Sequence, residues 1–317
     1  MSGLILLSAL LVAALGAAAA LVVTFVGRSR RRSPITAGAG SPGTGDLGTG
    51  SAAVLGQVRR VTAAWRWAGF LAGAAAAGAT VAMDGLGRGL LLAAPVFACF
   101  VLAGVLAGEF SILPPAGETR TATLEVRRIR DYLPRALTTV VTVAGAVLVL
   151  LVAAVTAAGS PDDLGRAGRT LTLQCTPDSW VSRGPWPGSH YTAPLAILVV
   201  LGLAGAAVAL RKVTLRPRAG VAPGLRDLDD RIRHRAGRAI VATAGILIAL
   251  PLTGVSVTAA GALAGIPCLS PGWSTVAAPA LSLLALASLA LLGWCAAAVF
   301  LPAADRPATA PVGGPAA

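Results

Sequence analysis

Apolar stretches of roughly twenty residues recur along this chain, separated by short polar segments that hold nearly all of its charge. A bilayer core about 30 Å thick is crossed by roughly 20 mostly apolar helical residues, and lipid offers a bare backbone no water. Each stretch therefore predicts a transmembrane helix. The spans expected are residues 4–26, 65–83, 90–107, 136–158, 193–210, 239–264 and 276–300. The fold class predicted is all-α, a polytopic transmembrane bundle of about seven spans.

Two connecting segments carry a shorter amphipathic pattern. Val126, Ile129 and Leu133 recur at helical spacing, with Arg127, Arg128, Arg130 and Asp131 on the other faces. Leu225, Leu228 and Ile232 repeat the spacing before the sixth span, where Asp227 and Arg231, and Asp229 and Arg233, stand four residues apart. Helices of this kind lie at a membrane surface. Arg127, Arg128, Arg130, Arg231 and Arg233 are accordingly the candidates for lipid or partner contact. Capping of the bundle is the plainer role for both helices.

Charge then orients the chain. It has 26 Lys and Arg against 13 Asp and Glu, a net +13, with a single Lys, Lys212. Cytoplasmic loops shorter than about 60 residues collect the basic excess. With the N-terminus outside, 22 basic residues fall in the cytoplasm, and only Arg88, Arg166, Arg169 and Arg183 fall outside. The C-terminus is thus expected in the cytoplasm of a multi-pass protein of the cell (inner) membrane. Because the arginines are divided among several juxtamembrane stretches, the charge predicts a lipid bilayer as partner and no nucleic acid. The first span has no basic residue before it and Arg28, Arg30, Arg31 and Arg32 after it, which favours a retained anchor over a cleaved signal.

The expected organisation is a first transmembrane helix over 1–27, a flexible basic linker over 28–64, a six-helix bundle over 65–301 with an external loop at 159–192, and a disordered cytoplasmic tail over 302–317. Within the linker, Gly43, Gly45 and Gly48 have a phosphate-loop spacing, but the βαβ context that such a motif requires is missing. The six spans of the bundle can be grouped as three hairpins entered from Arg-rich segments. Chance similarity is the simpler account of that resemblance.

Candidate chemistry is sparse. Of four cysteines, Cys99 and Cys295 fall within spans and read as small apolar groups. Cys175 and Cys268 fall in outer loops, where an oxidising compartment favours a disulfide between them. In the external loop, Leu171, Leu173 and Cys175 alternate as in a strand, while Trp180, Trp186 and Tyr191 suit headgroup depth. Asp178, Ser179, Ser182 and His190 are the residue types of a hydrolytic triad without a nucleophile elbow, and two histidines do not suggest a zinc site. No catalytic, cofactor or metal residue is assigned. Asp84 and Glu109 are expected as solvated boundary residues. Pro95, Pro251 and Pro279 could kink the third, sixth and seventh helices, and Thr138, Thr139, Thr142, Thr253, Ser256 and Thr258 could line a polar crevice, but such hydroxyls usually bond back to their own helix. Gly69/Gly73, Gly104/Gly108 and Gly261/Gly265 have the GxxxG spacing of close helix contacts.

The whole chain, and most of all Arg120 to Arg135 (RTATLEVRRIRDYLPR), resembles uncharacterised multi-pass integral membrane proteins of high-GC actinobacteria, a resemblance that implies no activity. The function expected is that of a nonenzymatic accessory or regulatory membrane component, with a membrane or cytoplasmic protein as partner. A permease-like transporter of a small solute is the alternative.

Overall fold

The computed structural model describes residues 47–82, 88–111, 133–215, 223–266 and 272–301. They form six helices and one small hairpin: α1 (Leu47–Ala82), α2 (Arg88–Phe110), α3 (Arg135–Ala158), β1 (Leu171–Thr176), β2 (Ser179–Arg183), α4 (Ser189–Leu215), α5 (Pro223–Ala264) and α6 (Trp273–Phe300). Among the described residues five stretches are long and apolar enough to cross a membrane: Gly89–Phe110, Arg135–Ala158, Ser189–Leu215, Asp230–Ala264 and Trp273–Phe300. They coincide with the third to seventh predicted spans. The second span, up to Ala82, lies within α1, which is not among the five because Ala, Gly and Arg66 dilute its apolar run. The first span lies outside the described residues, as do Asp84, Gly43, Gly45, the segment with Arg127, Arg128 and Arg130, and the tail.

α5 is the axis of the bundle. It packs on α2, α3, α4 and α6, while α1 packs outside on α2 and touches α6. Over its membrane window α5 is 78% buried, against 22% for α3. Ile240, Leu247, Val255 and Ala259 run down its core-facing side, joined by Cys295 and Val299 of α6 and Leu137, Val141 and Leu148 of α3. Outward, the peripheral helices present Val143, Leu150, Ile197, Val200, Leu283 and Leu286, with Leu150 71% exposed. In water such a band would draw the bundle into aggregates, whereas in lipid it costs nothing. The apolar residues are thus as much on the outside as within, as a multi-pass membrane protein requires.

Glycine sets the closest approach. A Cβ on Gly69 would stand 2.8 Å from the Gly104 Cα, and one on Gly104 would stand 2.6 Å from the Trp65 carbonyl oxygen. Gly73 is pressed on Phe97 and Gly108 on Thr62 in the same way. Two of the GxxxG pairs therefore form one seam, α1 against α2 within the chain. Gly261 has open space around it. The three-hairpin grouping does not extend to the packing: α1–α2 and α5–α6 are tight pairs, but α3 and α4 meet only briefly.

Two segments depart from expectation. Residues 47–64, read as part of a flexible linker, are the first turns of α1, since the run Ala52-Ala53-Val54-Leu55 is a good helix former that continues into a packed helix. The amphipathic segment before the sixth span is continuous with it, giving a helix of 42 residues. At 1.5 Å per residue that is roughly 63 Å, about twice the hydrocarbon thickness, so its first turns stand clear of the apolar core.

At the end opposite the arginines, the α3–α4 connection is ordered as a cap. β1 and β2 pair antiparallel, Leu171 opposite Arg183 and Leu173 opposite Val181, with a bulge at Cys175 and Pro177-Asp178 in the turn. Leu171 is buried against the bundle, as the alternating pattern predicts. Asp162 anchors the approach: its carboxylate accepts from the Leu164 and Arg166 backbone N–H groups at 3.0 and 2.9 Å and from the Arg166 Nε at 2.7 Å. The Trp186 indole donates to the Val155 carbonyl at 2.7 Å, filling one of the orphan acceptors at the C-terminus of α3. Thr156 and Thr192 hydroxyls join α3 to α4 at 2.8 Å. Trp186 and Tyr191 are buried and only Trp180 is well exposed, so just one of the three aromatics stands as an interfacial residue would.

Candidate functional site: a charged node at one end of the bundle

The C-terminal turns of α2, α4 and α6 meet the basic stretch of α5 and Arg66 of α1. Helix C-termini carry unsatisfied carbonyls and partial negative charge, and a membrane bundle brings several of them to the same side. Two arginines are spent on them. Arg233, 2% exposed, donates from Nη1 to the Val213 and Thr214 carbonyls of α4 at 3.1 and 3.0 Å. Arg66 donates from Nη1 to the Val299 carbonyl of α6 at 2.8 Å. Each arginine thereby caps a helix end.

Arg66 also faces Glu109 in the last turn of α2, with 3.7 Å between Nη2 and Oε1. Glu109 is 9% exposed. It is therefore no solvated boundary residue, because the glycine seam draws α1 over it and places a guanidinium within reach. Arg235 lies near enough for its charge to act on Arg66. Around the node, the Lys212 ammonium sits 5.2 Å from the centroid of Phe110, and Trp67, Phe70 and Phe300 form a cluster with centroids 5.3 to 5.7 Å apart, Phe70 edge-on to the other two. Aromatic rings beside cations are what headgroup depth favours.

The sequence-predicted contact residues divide here. Arg231 is exposed. Arg233 is not a contact residue: it continues the stripe through Gly237, Ile240, Ala244 and Leu247 that packs inward, and its guanidinium is committed to α4. That stripe, extended one turn, was the sequence signal for its burial. Nothing as simple marked Arg66, whose partners lie on two distant helices.

The other candidates are dispersed. Cys175 is disulfide-bonded, Cys99 and Cys295 are free thiols, and Cys268 lies outside the described residues. Ser179 bonds Thr176, Ser182 bonds Thr172, and the His190 and Tyr191 rings meet edge-on. Thr138, Thr142, Thr253 and Thr258 donate back to Pro134, Thr138, Ala249 and Gly254 carbonyls of their own segments. Thr253 also meets Ser288 of α6 at 2.7 Å. Ser256 is fully buried, and its hydroxyl has no partner among the described residues. Among those residues no group of three His, Cys, Asp or Glu could hold a metal. Comparison with protein-family models, with curated proteins and with solved structures gives no match.

Proposed function

We propose that this multi-pass membrane protein acts through contacts, as a nonenzymatic accessory or regulatory component of the cell membrane. The observation that carries the reading is the use made of its polar groups. Most threonines of the spans bond back to their own helices, Arg233 and Arg66 cap helix ends, and α5 is largely enclosed by apolar side chains over Asp230–Ala264. A bundle so committed supports a scaffold more readily than a pathway. Capture of the intact protein in mild detergent, with identification of what copurifies, tests this: a reproducible stoichiometric membrane partner is expected, and isolation as a partner-free species would count against it.

The topology proposed is seven spans with the amino end outside and the carboxyl end in the cytoplasm. The charged node, at the end opposite the disulfide-bearing cap, supports that orientation. Cys268 is proposed as the partner of Cys175. The other two cysteines are free, and Arg183 at the base of the hairpin lies 3.9 Å from where a Cβ would stand on Gly265, three residues before Cys268. Peptide mapping without reduction should recover the two as one linked species.

One observation favours the permease-like alternative. The bare Ser256 hydroxyl sits one turn from the Thr253–Ser288 pair and beyond Pro251, where α5 loses a backbone hydrogen bond. If solute passes here, Ser256→Cys should react with a small water-soluble thiol reagent in intact membranes. Complete protection is expected of the accessory reading.

A further inference from the structure

We infer that the first span, residues 4–26, docks on the outer half of α5 between α2 and α6, a reading that rests on the seven-span topology. The axial helix is covered unevenly. Every residue from Ala239 to Ala249 is buried, so the described helices enclose its cytoplasmic half on all sides. Beyond Leu250 one side opens. Thr253 is joined to Ser288 of α6 at 2.7 Å on one flank, and on the other a Cβ on Gly254 would stand 3.4 Å from Leu91 of α2. Between these flanks Val257, Gly261, Ala264 and Gly265 are exposed, Val257 by 55%, and a Cβ on Gly261 would meet nothing within 4 Å. At the cytoplasmic end, by contrast, α1 bridges α2 and α6, Phe70 meeting Phe97 and Phe300 edge-on at 5.3 and 5.7 Å.

The open side suits a helix better than acyl chains. Where the peripheral helices meet lipid they present Leu and Val, as at Leu150, Val200 and Leu286. Gly261 and Gly265 present backbone instead, and small residues at four-residue spacing are what bring membrane helices together. The α1–α2 seam has that arrangement, two antiparallel helices meshing Gly69/Gly73 with Gly104/Gly108. Residues 4–26 carry a counterpart: Ala9, Ala13 and Ala17 recur every four residues, with Gly16 and Ala20 alongside. With its N-terminus outside, the span runs antiparallel to α5, and matching Leu4 to Ala264 in depth sets Ala9 within a turn of Gly261 and Ala13 within a turn of Val257. The connection permits it. The turns of α1 before Trp65 rise about 27 Å, whereas the stretch 27–46 reaches about 66 Å when extended.

The test is oxidative crosslinking of the full chain in native membranes, with Cys99→Ala and Cys295→Ala removing the free thiols. Two pairs are used, Ala9→Cys with Gly261→Cys and Ala13→Cys with Val257→Cys. Since a bridge needs Cα atoms within about 7 Å, each should form an intramolecular disulfide about tenfold more than Ala9→Cys with Leu150→Cys, on the lipid-facing side of α3. Gly261→Leu should lower Tm in detergent by about 3 °C through overpacking, while Gly293→Leu, equally open on α6, should not. A dimer-sized product from Gly261→Cys alone assigns the face to a second copy, and no excess over the control in either pair assigns it to lipid. Each overturns the proposal, as does a Tm that Gly261→Leu leaves unchanged or raises. Intact mass of the same preparation separates the two readings: loss of residues 1–27 sinks the seven-span topology along with the docking, whereas a retained segment that does not link sinks the docking alone.

Discussion

Arg233 shows how much one side chain settles at this end of the molecule. Its two hydrogen bonds fill carbonyls that α4 cannot fill itself, in a place where water does not reach. Arg233→Met keeps the apolar stem and removes the donors. Hydrogen bonds to charged groups contribute about 1.5–3 kcal/mol, and we expect a loss of that order in unfolding from detergent, with Arg231→Met close to neutral. Asp162 governs the other end. Desolvation alone would raise its carboxyl, but the backbone and side-chain hydrogen bonds from Arg166, the Leu164 N–H and the Arg166 charge outweigh it and hold the group below the ordinary carboxylate range. A depressed folded value means that the anchor is complete above the unfolded pKa of about 3.9 and is lost as pH falls through the folded value. Hydrogen exchange at the Leu164 and Arg166 amides, corrected for intrinsic rate, should therefore lose protection below about pH 4. In Asp162→Asn, that pH dependence should vanish.

Among the elements, the α1–α2 pair is the one most exposed to a single methyl group. Gly104→Ala would drive a carbon to within 2.6 Å of the Trp65 carbonyl, so the helices must part and the Arg66–Glu109 contact must stretch. A cost of about 1–3 kcal/mol is expected from such overpacking, and Gly293→Ala, in open space, is the silent comparison. Helix positions were legible because apolar runs and their charged ends are written into consecutive residues: α3 and α6 match their predicted spans to within three residues at either end. The strand at Leu171 was equally readable from its alternation. What the sequence withheld was long-range. The spacing of Gly69/Gly73 and Gly104/Gly108 announced close contact, but not that the two pairs face each other. Glu109 looked like a boundary residue because nothing adjacent to it in sequence covers it. The helical start of α1 was obscured by the Gly and Ser content just before it.

At the scale of the molecule, two asymmetries carry the functional reading: basic side chains at one end against an ordered, disulfide-bearing cap at the other, and a buried axis against lipid-facing periphery. A reporter fused to Ala317 should accordingly be active only in the cytoplasm, and periplasmic activity would reverse the assignment of both ends. The axis has a further consequence, which concerns synthesis. α5 follows α2, α3 and α4 in the chain, and although α2 and α4 pack on each other, a ribosome delivers α3 to the bilayer before its main packing partner exists. α3, which packs almost wholly on α5, must wait in lipid as a solitary helix until residue 264 has emerged. Docking of α3 is then a late event, and a nascent chain arrested before α5 should leave α3 free to be crosslinked to lipid or to the insertion machinery, and released from both once α5 arrives.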